Sequence, residues 1–314
     1  MISKASAPGK VILFGEHFVV YGVSAILCAI DKRVTVISEK IPLKEIIIKS
    51  TIGELQVPTT ASINEINSQL RPFFYLAKKV AEKFSYNDGL KITIESEIPV
   101  GVGLGSSSAC CVAAAGSLTG LFETTSKDEI RQLAIEAEKS IYPNTSGADC
   151  TVCTIGGIIK YNKQLGHTRI DSKPKFDLVI ANSNVVHSTD NVVSNVKLFR
   201  DKNESKFLEL CEKEEKLISD VFEALKNNDT TSLGNSVMNN QNYLETIGVS
   251  NKVLQEMVQV ANSNSYGSKI TGAGDGGCIF AITDENNREK TIEELSKKYD
   301  CFSVKIDFKG LDTF

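Results

Sequence analysis

From Leu70 onward, apolar residues recur at Phe73, Phe74, Ala77, Val80, Ala81 and Phe84. Spacings of three and four put them on one side of a helix, so the stretch predicts an amphipathic helix lying on a core. Leu90, Ile92, Ile94 and Ile98 then alternate with Lys91, Thr93 and Glu95, which predicts a half-buried strand. Upstream, 10–14 reads as a strand running into a Gly-Glu-His turn, Val34 and Val36 alternate with polar residues, and 46–48 is a short apolar run. Downstream, a helix is predicted from the serines at 106–108 to about Leu121. Another spans 127–142, with Ile130, Leu133, Ala134, Ala137 and Ile141 on one face and Pro143-Asn144 ending it.

The polar stretch 162–175, with Gly166 and Pro174, predicts a boundary and hence domains of 1–168 and 169–314. Beyond it, 176–181 reads as a strand. Helical stripes follow at Val192/Val193/Val196/Phe199, from Phe207 to Leu225, and at Val253/Met257/Val260/Ala261. Strands at 279–282 and 302–308 flank a helix near 289–298, and this mixed order predicts an α+β second domain.

The length of 314 residues suits two modest domains. A net charge of −4 gives no electrostatic footprint for nucleic acid or an anionic membrane, and leaves a homodimer open. No apolar run reaches membrane-spanning length and no secretory segment opens the chain, so a cytoplasmic protein is expected. Eight cysteines without a disulfide-like framework read as reduced thiols, and the Cys150/Cys153 pair as packing.

Candidate chemistry lies in three glycine-bearing segments. The first is Ala7-Pro8-Gly9-Lys10, followed by Phe14-Gly15-Glu16-His17. The second runs from Pro99 through Gly101, Val102, Gly103, Leu104 and Gly105 to Ser106-Ser107-Ser108-Ala109. The third is Lys269-Ile270-Thr271-Gly272-Ala273-Gly274-Asp275-Gly276-Gly277. Glycines that take φ > 0 aim successive N–H groups one way, and a following helix adds its unpaired N–H groups and positive dipole end. That is a cradle for an anion, most often phosphate. The second segment is no Walker A, because no Lys-Ser or Lys-Thr closes it. The GxGxxG at 272–277 precedes a predicted strand, whereas a dinucleotide fingerprint opens a helix.

Read alone, Lys10 is a strand-end lysine, Glu138 a boundary residue beside an apolar stripe, and Asp149 a turn or cap aspartate. His17 reads as a core histidine. With three histidines and no His-x-x-x-His spacing, no structural metal site is expected. His167 and His187 read as surface or loop residues, with Ser188-Thr189-Asp190 able to cap a helix.

Together the three segments, with Val19-Val20-Tyr21-Gly22 and Ser146-Gly147-Ala148-Asp149 before Gly156-Gly157, resemble the GHMP small-molecule kinase superfamily, in the form of its mevalonate-phosphorylating branch. The resemblance implies a ribosomal-protein-S5-like N-terminal domain and a ferredoxin-like C-terminal one, with the site between them. It implies an ATP- and Mg²⁺-dependent kinase acting on the primary hydroxyl of mevalonate. Rival readings are a phosphomevalonate or homoserine kinase and a catalytically silent binding protein.

Residue by residue, the resemblance implies Asp149 as acid/base, with Lys10 as its cationic neighbour. It implies phosphate binding by Gly101, Gly103, Leu104, Gly105, Ser106, Ser107 and Ser108, and Mg²⁺ ligation by Ser107 and Glu138. It puts Glu16, His17, Thr189, Gly272, Ala273 and Gly274 on the substrate side. The chain departs from the family pattern in three places. Ser108 replaces an alanine, Tyr142-Pro143-Asn144-Thr145 replaces a His-Gly-type sequence, and Asp275 replaces a glycine. An acid beside bound phosphate is unfavourable, so Asp275 is expected to face away, held by Lys269 or by backbone N–H groups.

Overall fold

Two long strands, β1 (Ile2–Phe14) and β2 (Ala25–Ile41), form the spine of the first sheet in the computed structural model, which describes residues 1–99, 101–172, 174–186 and 188–314. Val100 of the second glycine segment and His187 lie outside the described residues. Lys10 therefore sits well inside a strand rather than at its start. The two strands pair antiparallel, with a register shift between Pro8 and Gly9. Pro8 has no N–H to give a ladder, so an irregularity there is expected, and bulges next to active sites re-aim side chains.

The strands β3 (Glu45–Ser50), β4 (Gly53–Pro58) and β5 (Gly89–Ser96) extend the sheet in the order β1-β2-β5-β3-β4. Among the described residues only β3 and β5 pair parallel, and the predicted helix α1 (Arg71–Lys83) makes the crossover between β4 and β5. The other half of β2 pairs β6 (Ile158–Asn162), which pairs β7 (Gly166–Ile170). The polar stretch expected to be a boundary thus contains a strand of the first sheet. A division at 168/169 falls inside β7; its polar, exposed residues gave no strand signal.

The helix α2 (Ser106–Thr119) is buried from Ser108 to Thr119. A helix enclosed on all sides must be apolar or small all round, and the run Ala-Cys-Cys-Val-Ala-Ala-Ala-Gly is both. It packs on β1 and β2 and touches α1, α3 (Lys127–Lys139) and α4 (Ala148–Ile155). A Cβ on Gly116 would meet Ala5 Cβ at 3.2 Å, so small residues let this helix lie close on the sheet.

The second sheet has the order β11-β8-β10-β9, antiparallel throughout, from β8 (Asp177–Asn182), β9 (Gly267–Ile270), β10 (Cys278–Thr283) and β11 (Asp300–Val304). Between β8 and β9 run α5 (Thr189–Lys202), α6 (Glu204–Asn227), α7 (Thr230–Thr246) and α8 (Lys252–Asn262). The helix α9 (Arg288–Ser296) precedes β11. In chain order the spatial sequence is fourth, first, third, second, the split βαβ arrangement of a ferredoxin-like unit. The tail returns to the first sheet as β12 (Asp312–Thr313) beside β1.

Candidate active site

Lys10 and Asp149 meet. Lys10 Nζ lies 3.0 Å from Asp149 Oδ2, with the lysine side chain 5% exposed and the aspartate 31%. Asp149 is in the first turn of α4 rather than in a turn or cap, and Gly147 holds the N-cap position. Lys10 N–H donates to Leu104 O at 2.9 Å, which fastens the second glycine segment across β1. Gly105, the N-cap of α2, has φ +74°, and a Cβ there would sit 2.6 Å from Lys10 Cγ. Any other residue would be strained and would displace the lysine. The first N–H groups of α2 have no acceptor within the helix and open beside the Lys10–Asp149 pair. Ser106 is half-buried and Ser107 exposed there.

The third segment lies against the second. A Cβ on Gly272 would be 3.7 Å from Gly103 Cα, and one on Gly103 would be 3.7 Å from Thr271 O. Thr271 Oγ1 also receives the Ile12 N–H at 3.2 Å. The His17 ring bonds the Ala273 carbonyl through Nε2 at 2.8 Å. A carbonyl only accepts, so Nε2 carries the proton and Nδ1 is the free acceptor of a neutral ring. Burial, and then the charge of Lys269, push the His17 pKa down, against the hydrogen bond to Ala273. His17 has φ +63°, a left-handed conformation costly for a side chain of its size. Strain of that kind persists where the surroundings enforce it, often at ligand sites.

Glu138 is buried at 5% exposure on α3, not a boundary residue. Ser108 Oγ–H donates to its Oε1, and Thr145 Oγ1–H donates to Oε2 at 2.6 Å. Two of the departures from the family pattern therefore converge on one carboxylate. Burial, and then the charge of Asp149, raise the Glu138 pKa, with the two hydroxyls opposing. A cation between the two acids would relieve that repulsion. Ser107 and Glu138 offer the hard oxygen donors Mg²⁺ prefers, and a carboxylate oxygen that accepts one hydrogen bond keeps a second lone pair. The donor set fits a Mg²⁺ that keeps most of its ligands as water and phosphate oxygens.

Of the two partners expected for Asp275, Lys269 is engaged elsewhere. Lys269 is fully buried and ion-paired with Glu16, which is 2% exposed. Asp275 is exposed with φ +56°, and its N–H donates to Val249 O at 2.7 Å. Among the described residues no ion pair involves its carboxylate. Sequence reading named Lys269 but missed its pairing with Glu16 and its second acidic neighbour, Glu214 on α6. The charge that interrupts the apolar stripe of α6 at Glu214, between Leu210 and Leu217, is the signal that was present.

Thr189 is the exposed first residue of α5, and no hydrogen bond among the described residues joins it to the three segments. Ser188 caps that helix as expected, accepting the Asn191 N–H. The eight cysteines are free thiols. A separate open cavity of about 750 Å³ is lined by Tyr21, Ser24, Lys160 and Glu215 among others, and by no residue of the second or third glycine segment. Here the chemistry, not cavity size, marks the site.

Comparison with known proteins follows the same lines. The model of the GHMP kinases N terminal domain matches residues 73–157, and that of the GHMP kinases C terminal matches 221–301. A mevalonate kinase of Pyrococcus furiosus is 35% identical over 308 residues, covering 91% of this chain and 90% of its own. That of Aeropyrum pernix is 29% identical over 317 residues, covering 98% and 97%. The crystal structure of Methanococcus jannaschii mevalonate kinase superposes with a TM-score of 0.86 at 27% identity, covering 98% of both chains. The L. major mevalonate kinase in complex with R-mevalonate superposes with a TM-score of 0.78 at 26% identity, covering 96% of each. With its motifs, its two sheets and both family models in agreement, this chain belongs to the GHMP kinase family.

Proposed function

We infer that this protein transfers the γ-phosphoryl group of ATP to the primary hydroxyl of mevalonate, giving 5-phosphomevalonate, a step of isoprenoid synthesis. The observation that carries the reading is the Lys10–Asp149 ion pair at 3.0 Å, packed against the glycine that begins α2. An inactive relative has no need of such a pair beside a phosphate cradle. Phosphoryl transfer asks little covalent work of a protein and much positioning. N–H groups of 101–105 and the start of α2, with the hydroxyls of Ser106 and Ser107, hold the phosphates. Asp149 accepts the proton of the acceptor hydroxyl, and Lys10 supplies positive charge to the nascent alkoxide. Mg²⁺, when bound, neutralises charge on the phosphoryl oxygens. Ser107 and Glu138 would hold it, with Ser108 and Thr145 fixing the rotamer of Glu138. His17, Glu16 and the 272–274 turn face the acceptor side. No described helix is long and apolar enough to cross a membrane, and free thiols suit a reducing cytoplasm.

A coupled ADP-release assay over mevalonate, phosphomevalonate, homoserine and galactose tests the substrate. Mevalonate should give the highest kcat/KM; a higher value for any other would overturn the assignment. Glu138→Gln should raise the Mg²⁺ concentration needed for half-maximal rate, with excess Mg²⁺ restoring part of the activity, because the amide keeps the shape but loses the anionic ligand. Titration of Mg²⁺ against initial rate checks this, and an unaltered midpoint would remove Glu138 from the metal.

A further inference from the structure

β1 ends at Phe14 and β2 begins at Ala25, so the connection 15–24 is the whole segment that carries Glu16 and His17. Consecutive residues of α6 hold its two ends. Gly15 N–H donates to Glu214 Oε1 at 2.9 Å. Ser24 N–H donates to Glu215 Oε2 at 2.8 Å, and Ser24 Oγ–H to Glu215 Oε1 at 3.0 Å. The ends abut, since a Cβ on Gly15 would lie 2.5 Å from Ser24 O. Between them, Phe18 and Tyr21 both pack on Phe207 of the same helix, with ring centroids at 5.7 and 4.9 Å.

Glu214 has no solvent exposure, and its other oxygen receives Asn240 Nδ2–H from α7 at 2.6 Å. A hydrophobic side chain at that position of α6 would avoid the desolvation of a buried acid. What a hydrophobe cannot do is accept the Gly15 N–H.

We propose that Glu214 and Glu215 are positioning residues for the acceptor subsite, fixing the 15–24 connection, and through it Glu16 and His17, from α6. The proposal rests on the reading that Glu16 and His17 face the acceptor. The phosphate cradle hangs instead on β1 and α2, so the two substrates are held by different parts of the molecule. Acceptor binding is therefore tunable from α6 without disturbing the nucleotide.

The test measures KM for mevalonate at saturating Mg–ATP, and KM for ATP at saturating mevalonate, in Glu214→Ala, Glu214→Gln, Glu215→Ala and His17→Ala. Glu214→Ala strands a buried N–H and a buried amide, so it should raise KM for mevalonate about tenfold or more, with KM for ATP within about threefold. Glu214→Gln should restore most of the affinity. Its carbonyl oxygen can accept the Gly15 N–H, and its NH₂ can donate to Asn240 Oδ1, which has no partner now, once that amide turns over. Glu215 is half-exposed, so Glu215→Ala should fold, and should raise KM for mevalonate about threefold or more. It carries the test if thermal unfolding shows that Glu214→Ala does not fold. If His17→Ala raises KM for mevalonate while the α6 variants leave it unchanged, the inference fails and the acceptor reading stands. An equal rise in both KM values would mean a generally loosened fold and would also overturn it. If His17→Ala leaves KM for mevalonate unchanged, the acceptor reading fails and the inference with it.

Discussion

Asp149→Asn should bind ATP with KM within about threefold of wild type and turn over about 10²–10⁴-fold more slowly. The amide has the volume and hydrogen-bonding reach of the carboxylate, so α4 and its packing are kept. It has almost no affinity for a proton, so the acceptor hydroxyl loses its base. It also removes the anion 3.0 Å from Lys10 Nζ, leaving an ammonium that is 5% exposed without its partner. The lysine is then free to bond a phosphate oxygen in an unproductive pose, which lowers kcat further while holding KM for ATP low. Steady-state rates, with thermal unfolding to confirm the fold, check this. A kcat within about threefold of wild type would show that Asp149 only orients the hydroxyl, and that departure of the proton needs no protein base.

Much of this site was legible in the sequence because its parts are local. A glycine needed at φ > 0 and the serines that open the helix after it are neighbours in the chain, so the spacing carries that local geometry directly. The same holds for α1, α3 and β5, whose periodicities are strong. What was not legible is what the tertiary fold brings together. Glu16 and Lys269 are 253 residues apart, and nothing near Lys269 distinguishes a buried ion-paired lysine from one at a phosphate. The expectation that it restrains Asp275 came from proximity in sequence, and the better-buried Glu16 wins it.

Weak periodicity hid other elements. In α7 the core positions Leu233, Val237 and Leu244 are diluted by Asn and Ser, and Asn240 and Gln241 are buried through hydrogen bonds rather than apolarity. The eight-residue α4 is too short for a stripe. Ser108 stood out as a departure from the family pattern, but only the fold shows that its hydroxyl, with that of Thr145, grips Glu138.

Lys269→Met should destabilise the protein by about 3–5 kcal/mol, the range for removing one partner of a buried ion pair. Against a total of about 5–15 kcal/mol for an ordinary domain, that brings it close to unfolding. Methionine fills the space well enough; the loss is electrostatic. Lys269 is the cation beside two buried carboxylates, Glu16 and Glu214. Burial raises the Glu16 pKa and lowers that of Lys269, while their pairing opposes both shifts. Burial, and then the charge of Glu16, raise Glu214 from 4.5 to about 7.

The sign of the pH effect follows. Both carboxyls have folded pKa values above their unfolded ones, so the folded state gains from their protonation. That stability is fully present below the unfolded value and is lost as pH rises, through about 7 for Glu214. Without the ammonium the loss steepens, so Lys269→Met should fall further below wild type at about pH 8 than at about pH 5 when urea midpoints are compared. Adding Glu16→Gln should recover part of the deficit at the higher pH, because it removes one of the stranded charges. Equal deficits at both pH values, or no recovery in the double variant, would mean that Lys269 matters for packing and not for balancing the buried charges of Glu16 and Glu214.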